Sequence, residues 1–75
     1  MKINGAELRG NMGEVFDSDD YKQCKELCIN HDKCQAFQFV FKSCLLKWGD
    51  DIYFHACRNT ADCKYQGGII PERMI

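Results

Sequence analysis

Residues 24–47 read CKELCINHDKCQAFQFVFKSCLLK and contain four of the six cysteines of the chain. Cys24 and Cys28 lie four residues apart in a segment of helical composition, so both sulfurs should project from one face of the same helix. Cys34 and Cys44 flank QAFQFVFKS, whose aromatic and β-branched residues are typical of a strand. The stretch therefore predicts a helix that is held against a small sheet.

The helix is expected to begin after the acidic run DSDD at residues 17–20, whose side chains can accept hydrogen bonds from free backbone N–H groups. From residue 20 to residue 29 the apolar side chains recur every three or four residues, which is the helical period. Asn30 tolerates left-handed backbone and is expected to end the helix, with His31 near the negative end of its dipole. A calcium loop is less favoured, because Cys28 stands where the bidentate Glu belongs.

Short strands and turns are expected around this centre. The alternation from Cys34 to Phe41 places apolar groups on both faces, as in a central strand that is covered on two sides. Asn4-Gly5 favours a tight turn, and the tail from Pro71 onward is expected to be frayed. The other expected elements are a short edge strand before residue 9, a strand at 14–16, a turn at 42–43, a strand at 44–48, a break at 49–51 and strands at 52–56 and 64–70.

Length and cysteine content limit the class of protein. We expect residues 1–75 to form a single domain, too small to be very stable by burial alone. Six cysteines in so short a chain are typical of a disulfide-stapled secreted or cell-surface protein, reached through the secretory pathway and its organelles. A cytosolic domain with reduced cysteines is the alternative. The first residues lack the apolar core of a secretory signal, so we expect a mature form or a module of a longer protein.

Charge, hydropathy and cysteine spacing argue against several kinds of partner. Ten basic and eleven acidic residues give a formal charge of −1, which provides no general attraction to nucleic acid. No apolar run reaches membrane-spanning length, so no membrane insertion is expected. The cysteine spacings lack the C-x2-C unit that is common to zinc knuckles and redox motifs. We therefore expect no metal and no other cofactor.

The cysteine pattern resembles that of a known family. From Cys24 to Lys47 the chain follows C-x3-C-x5-C-Q-A-F-x6-C-x-L-K, which resembles the core of PAN/apple domains. In those domains a helix carries two cysteines, the third precedes an Ala-Phe strand, and the fourth opens a C-x-L-K strand. Residues 3–8 are similar to the lead-in of many members. The resemblance implies an α+β fold, with one helix packed on a curved antiparallel sheet of about five strands.

The resemblance also implies a disulfide pairing that spacing alone does not select. Carried onto this chain, it joins Cys24 to Cys44 and Cys28 to Cys34. In the chain-entropy model, a bridge that closes a loop of roughly twenty residues contributes about 3 kcal/mol, and one that closes about seven contributes somewhat over 2 kcal/mol.

One departure from the family concerns the ends of the chain. Full apple domains join their termini with a further bridge, but no cysteine precedes Cys24, so this chain is nearer to the shorter PAN type. Cys57 and Cys63 remain, and their simplest pairing is with each other. The alternative is that one of them is free or pairs with a partner chain.

Recognition is a better hypothesis than catalysis. The two histidines lack a serine nucleophile, and oxidised cysteines are not nucleophilic, so we expect no enzyme and no catalytic residue. The stretch KWGDDIYFHACR at residues 47–58 mixes aromatic rings with both charge signs, which suits stacking on a sugar or anchoring a protein hot spot. The alternative is that Trp48 and one face of the 52–56 strand only complete the core. The candidate ligand-binding residues are Lys47, Trp48, Asp50, Asp51, Tyr53, His55 and Arg58.

The resemblance leaves several uses open. PAN/apple domains occur in parasite microneme adhesins, leech anti-platelet proteins, plasminogen, hepatocyte growth factor, plasma kallikrein and factor XI. Our first hypothesis is an adhesion module that binds a protein receptor on a cell surface or in the extracellular matrix. The second is a lectin-like module for galactose-type glycans, and the third is a secreted single-domain inhibitor of haemostasis. The oligomeric state stays open.

Overall fold

The computed structural model describes residues 2–57 and 63–73, and within these ranges the chain forms seven strands and one α-helix. The larger sheet is antiparallel and has five strands, while the other two strands pair separately. In chain order the elements are β1 (Lys2–Asn4), β2 (Ala6–Arg9), β3 (Met12–Asp17), α1 (Tyr21–Asn30), β4 (Ala36–Val40), β5 (Ser43–Trp48), β6 (Tyr53–Ala56), β7 (Gln66–Ile69) and a 3-10 helix at Pro71–Arg73.

The strand order in the larger sheet is β1-β7-β4-β5-β3, and α1 packs on it mainly against β4. Strands β2 and β6 form an antiparallel pair that packs on the sheet mainly through β2. The predicted α+β fold, with one helix on an antiparallel sheet of five strands, is confirmed. The β2–β6 pair was not predicted as a separate layer.

The helix begins and ends where predicted, but its C-terminal cap has a different geometry. The Asp20 carboxylate accepts a hydrogen bond from the backbone N–H of Gln23 at 2.8 Å, which is the N-cap interaction expected of the acidic run. The prediction of left-handed backbone at Asn30 is wrong, since Asn30 is still helical. The helix is ended by His31, which is extended, with φ −93°, and donates its N–H to the Cys28 carbonyl at 3.1 Å.

The prediction of a frayed tail is wrong for Pro71–Arg73, because Arg73 is anchored at the C-terminal end of α1. Gln35 Nε2 donates to the Arg73 carbonyl at 2.8 Å. Carbonyls at a helix end lack intrahelical partners, and a cation there also interacts favourably with the helix dipole. The guanidinium donates hydrogen bonds of 2.8 to 3.0 Å to the carbonyls of Cys28, Ile29, His31 and Cys34.

The helix face of the sheet holds the main core. One disulfide joins Cys24 on α1 to Cys44 on β5, with their Cα atoms 5.3 Å apart. A second joins Cys28 to Cys34 over a Cα separation of 5.2 Å. All four cysteines are fully buried, together with Phe37 and Leu46. The third bridge lies away from this core and joins Cys57 to Cys63.

Strand β4 is central and covered on both sides, as its alternation predicted. On the helix side, the ring of Phe37 lies 5.5 Å from that of Tyr21. On the opposite side, Gln38 is buried and its Oε1 accepts a hydrogen bond from the Leu8 N–H of β2. The strand is shorter than predicted, and the following turn consists of Phe41-Lys42 rather than Lys42-Ser43.

The returning strand β7 contains two consecutive glycines, Gly67 and Gly68, and passes through both without interruption. A Cβ on Gly67 would lie 2.9 Å from the Phe37 carbonyl oxygen and 3.0 Å from the ring of Phe54. Because any larger residue would collide there, the glycine lets β7 fit between β4 and the β2–β6 layer.

Candidate binding surfaces

The two residues that open the predicted site point to opposite faces of the sheet. Lys47 and Trp48 are neighbours on β5, where successive side chains alternate. Trp48 packs against the helix-side core and stacks on the His31 ring, with centroids 5.0 Å apart. Its indole Nε1 is buried and has no hydrogen-bond partner in the described structure. Trp48 therefore completes the core rather than offering an open ring to a ligand.

Lys47 lies together with two more of the predicted residues, Asp51 and Tyr53, in a pocket on the β2 side. We call it the Tyr53 pocket. Its volume is about 510 Å³. The Tyr53 side chain is 53 % exposed, and it supplies the aromatic surface that sugar binding requires. The pocket is lined by Leu8, Arg9, Gly10, Asn11, Leu45, Lys47, Asp51 and Tyr53.

Most polar groups of the Tyr53 pocket are already bonded to one another. Lys47 Nζ donates to the Gly10 carbonyl at 2.8 Å, and Asp51 Oδ2 accepts from the Asn11 N–H at 3.0 Å. These bonds fix the loop between β2 and β3 against β5 and the loop that follows it. The pocket is thus a braced junction, in which one hydrogen bond from each of Lys47 and Asp51 is used to hold the neighbouring backbone.

The cation at the rim of the pocket is also paired. Arg9 Nε donates to Glu7 Oε1 at 2.7 Å, and this hydrogen bond lowers the pKa of the Glu7 carboxyl. The other oxygen of Glu7 accepts from the Tyr65 hydroxyl at 3.3 Å. The pKa of Arg9 is raised by its hydrogen bonds to Glu7 and then to Tyr53.

The remaining candidates do not line the Tyr53 pocket. Asp50 and His55 are exposed. Arg58 lies outside the described residues. The predicted set is therefore divided among one pocket, one core position and separate surface positions.

The most exposed large apolar side chain of the described structure was not among the predicted site residues. Phe41 is 81 % exposed and lies at the tip of the β4–β5 hairpin. Its φ is +46° and that of Lys42 is +63°, so both central residues of the turn have left-handed backbone. Two-residue turns of this kind favour Asn-Gly, and a residue with a large side chain costs about 1 kcal/mol or more in this conformation.

A groove of about 650 Å³ runs beside Phe41 and is lined by three aromatic rings, those of Phe39, Phe41 and Tyr65. Its wall is fixed by the Tyr65 carbonyl, which accepts a hydrogen bond from the Gly5 N–H at 3.2 Å. We call the groove and Phe41 together the tip surface. The other residues that line it are Asn4, Gly5, Val40, Cys63, Lys64 and Gln66.

Strand alternation placed Phe41 on the same face as Phe37 and therefore concealed its role in the turn. The available signal is the spacing between AFQFV and SCLLKW, which leaves only two residues to reverse the chain. A connection of that length requires positive φ at one or both positions. Neither Phe41 nor Lys42 is a residue type that favours such a turn.

The model of the PAN domain family matches residues 1–65 of the 75-residue chain. The chain belongs to the PAN domain family. The matched range contains α1 and β1 to β6, and it ends immediately before β7. PAN domains are modules that bind proteins or carbohydrates. No curated protein sequence and no solved structure matches the chain.

Two further observations concern the described residues of this PAN domain. None of its helices is both long and apolar enough to cross a membrane. No group of three or more His, Cys, Asp or Glu side chains in this part of the chain is arranged to hold a metal ion.

Proposed function

We propose that this PAN domain is an extracellular recognition module that binds a protein partner through the tip surface, without catalysis. The observation that carries the proposal is Phe41, whose large apolar ring is 81 % exposed in a left-handed turn. Exposure of the ring and the unfavourable backbone both cost free energy in the unbound domain. Strained and exposed aromatic residues of this kind are characteristic of binding sites.

The surroundings of Phe41 hold it in place before a partner arrives. The Lys42 carbonyl accepts a hydrogen bond from the Ser18 N–H at 2.9 Å, and Lys42 Nζ donates to the Asp19 carbonyl at 3.0 Å. The turn leads directly into β5, which the Cys24–Cys44 bridge fixes to the helix. Little backbone entropy of the turn therefore remains to be lost on binding, which favours affinity from one aromatic anchor.

Membership of the PAN family and three disulfides support a place outside the cell. We propose that the partner is a receptor or matrix protein that the domain meets after secretion or on a cell surface. A secreted inhibitor of haemostasis would be a special case, in which the partner is a collagen or a clotting protein.

The proposal is tested with a panel of purified extracellular and matrix proteins and a glycan array, probed with the wild-type domain. We expect binding to one or more proteins, and at least a tenfold loss of affinity in Phe41→Asn. Asn tolerates the left-handed turn, so the same substitution should raise the free energy of unfolding by about 1 kcal/mol. Lost binding together with increased stability would distinguish a binding role for Phe41 from a structural one.

The matched control is Tyr53→Ala, which removes the other large exposed aromatic side chain near a pocket. It should leave protein binding unchanged. The proposal would be wrong if the protein hits were equally strong in Phe41→Asn, or if they were lost only in Tyr53→Ala.

A carbohydrate-binding function is the second candidate, because Tyr53 is half-exposed beside charged groups in the Tyr53 pocket. It is less favoured because Lys47 and Asp51 are already bonded to neighbouring backbone groups. Binding to galactose-type glycans that is lost in Tyr53→Ala and kept in Phe41→Asn would replace the protein-binding proposal with this one.

A further inference from the structure

We infer that β3 is a docking strand, at which an extended basic segment of a partner protein adds to the five-stranded sheet. This goes beyond the proposed function, since it concerns a different element and a different mode of binding. The tip surface would hold a partner by side-chain contacts, whereas β3 would hold one through backbone hydrogen bonds.

The register between β3 and β5 shows which backbone groups face outward. Ser18 N–H donates to the Lys42 carbonyl, and the pairing continues from Asp17–Ser43 along both strands. In an antiparallel pair, hydrogen-bonded and non-hydrogen-bonded positions alternate. Ser18 and every second residue before it on β3 therefore point their backbone N–H and C=O groups toward β5. The residues between them point these backbone groups outward. The outward residues are Gly13, Val15 and Asp17.

These outward groups form an open edge. Strand β3 is last in the order of the five-stranded sheet, and no strand of the described chain pairs with its outer side. The edge begins after Asn11, whose N–H donates to the Asp51 carboxylate at 3.0 Å. Beyond that bond, an added strand would meet a regular series of donors and acceptors.

The two edges of the sheet differ in how they discourage such pairing. The opposite edge, β1, has three residues, whereas β3 has six. Natural edges are commonly protected by short strands, Pro or charged side chains, and of these features β3 has only the acidic residues Glu14 and Asp17. It also exposes apolar side chains, with Val15 65 % and Met12 51 % exposed.

Charge selects the kind of strand that could add here. Between Gly10 and Tyr21 the chain has no Lys or Arg, and its acidic residues are Glu14, Asp17, Asp19 and Asp20. A second copy of β3 would bring the same acidic residues to the interface. A strand with Lys or Arg would instead be attracted, because opposite charges across paired strands are favourable and like charges are not.

Neighbouring basic side chains leave most of this acidic edge available. Lys42 Nζ is bonded to the Asp19 carbonyl, and His31 Nε2 lies 3.9 Å from Glu14 Oε1. Glu14 and Asp17 occupy opposite faces of β3, on either side of the exposed Val15. The fitting partner is thus an extended segment that alternates basic residues, on the face of Glu14, with β-branched residues on the face of Val15.

The probe is a capped synthetic peptide of about nine residues, with Lys at every second position and Val or Thr between. It is titrated into the ¹⁵N-labelled wild-type domain and followed by NMR. We expect shift changes centred on the amides of Gly13, Val15 and Asp17, with slower hydrogen exchange at these amides. Two control peptides replace Lys by Glu or carry N-methyl groups on alternate amides, and each should bind at least tenfold more weakly.

Two variants of the protein separate the backbone contribution from the side-chain contribution. Val15→Pro removes an outward N–H and should abolish binding, whereas Val15→Thr keeps it and should bind as the wild type does. If the proline variant fails to fold, the N-methylated peptide on the wild-type domain makes the same test.

Three results would overturn the inference. Equal binding of the N-methylated peptide would show attraction by charge alone, and equal binding of the Glu peptide would remove the charge argument. Shifts of the same three amides that depend on protein concentration, without peptide, would identify a second copy as the occupant. Loss of protein binding in Phe41→Asn would not affect any of these outcomes.

Discussion

The two faces of the five-stranded sheet are held by different kinds of interaction. On the helix face, disulfides join α1 to β5 and to the segment before β4, and all four cysteines are fully buried. On the other face, the β2–β6 layer is held by the buried side chain of Leu8 and by the hydrogen bond between Leu8 and Gln38. The comparison indicates that the helix face is a covalent scaffold and that the opposite layer depends on packing.

The candidate binding surfaces follow the same division. The tip surface and the β3 edge lie at the margins of the sheet, beside strands that the helix face fixes in place. The Tyr53 pocket lies between the β2–β6 layer and the sheet, where its polar groups brace the junction. Because the strands at these margins are held rigidly, their exposed apolar residues can stay in fixed positions.

The largest expected effect comes from removing the bridge between α1 and β5. Cys24→Ala with Cys44→Ala should lower the free energy of unfolding by about 3 kcal/mol from unfolded-state entropy, with a further loss from the emptied buried sulfur positions. The measurement is denaturant unfolding under non-reducing conditions.

The matched control removes the peripheral bridge by Cys57→Ala with Cys63→Ala. This bridge closes a loop with a sequence separation of 6 rather than 20, so its loss should cost about 2 kcal/mol or slightly more, less than the loss of the Cys24–Cys44 bridge. An equal or larger cost for the peripheral pair would contradict the division between the two faces. Non-reducing peptide mapping tests the pairing itself, and a Cys24–Cys28 link would show it to be wrong.

A somewhat smaller effect is expected on the other face. Leu8→Ala removes a side chain that is only 2 % exposed and should cost about 2 to 3 kcal/mol. The one described bridge at this layer, Cys57–Cys63, follows β6 and does not tie β2 to the sheet, so amide exchange should increase first in β2 and its partner β6. Leu46→Ala, on the helix face, is the control. The increase in amide exchange that it causes should be spread over the whole sheet. If both variants loosened the same amides, the two faces would form one cooperative unit.

A third prediction concerns the polar end of the helix face. Arg73→Ala removes hydrogen bonds to carbonyls at the end of α1 and should lower the free energy of unfolding by about 2 kcal/mol. The measurement is thermal unfolding. Arg73→Lys should recover only part of this, since an ammonium cannot reach the same set of acceptors. Full recovery by Lys would mean that charge near the helix dipole, rather than hydrogen bonding, is what matters.

The position of the two helical cysteines was predictable from their spacing, the disulfide pairing was implied only by the resemblance to PAN domains, and the packed face was not predicted. The spacing of Cys24 and Cys28 places both sulfurs on one helix face whatever the rest of the chain does. No local sequence pattern connects residues 6–9 with residues 53–56. Their pairing is a long-range contact that depends on packing in the folded protein. The cap by Arg73 is similar, because its acceptors lie about 40 positions earlier in the chain.

The candidate site was only partly predictable. Strand alternation alone implies that Lys47 and Trp48 face opposite ways, so one contiguous site from Lys47 to Arg58 was not a consistent expectation. Phe41 was missed because turn propensities favour Asn and Gly, and the chain uses Phe at a position where those rules disfavour it. Residues that contradict local preferences are the ones to inspect for binding roles.

The smallest predicted effect tests the electrostatics of the β2–β6 layer. Arg9 lowers the pKa of Glu7 below its ordinary value of about 4.5. The pair therefore contributes stability above that value, and the contribution is lost as the pH falls through the lowered pKa. Since Glu7 and Arg9 are exposed, Glu7→Gln should be slightly less stable than wild type at pH 7. The difference in unfolding midpoint should vanish in acid, and it should be absent at every pH when Arg9→Gln is already present. A difference that persisted in that background would assign the effect to the Tyr65 hydrogen bond instead.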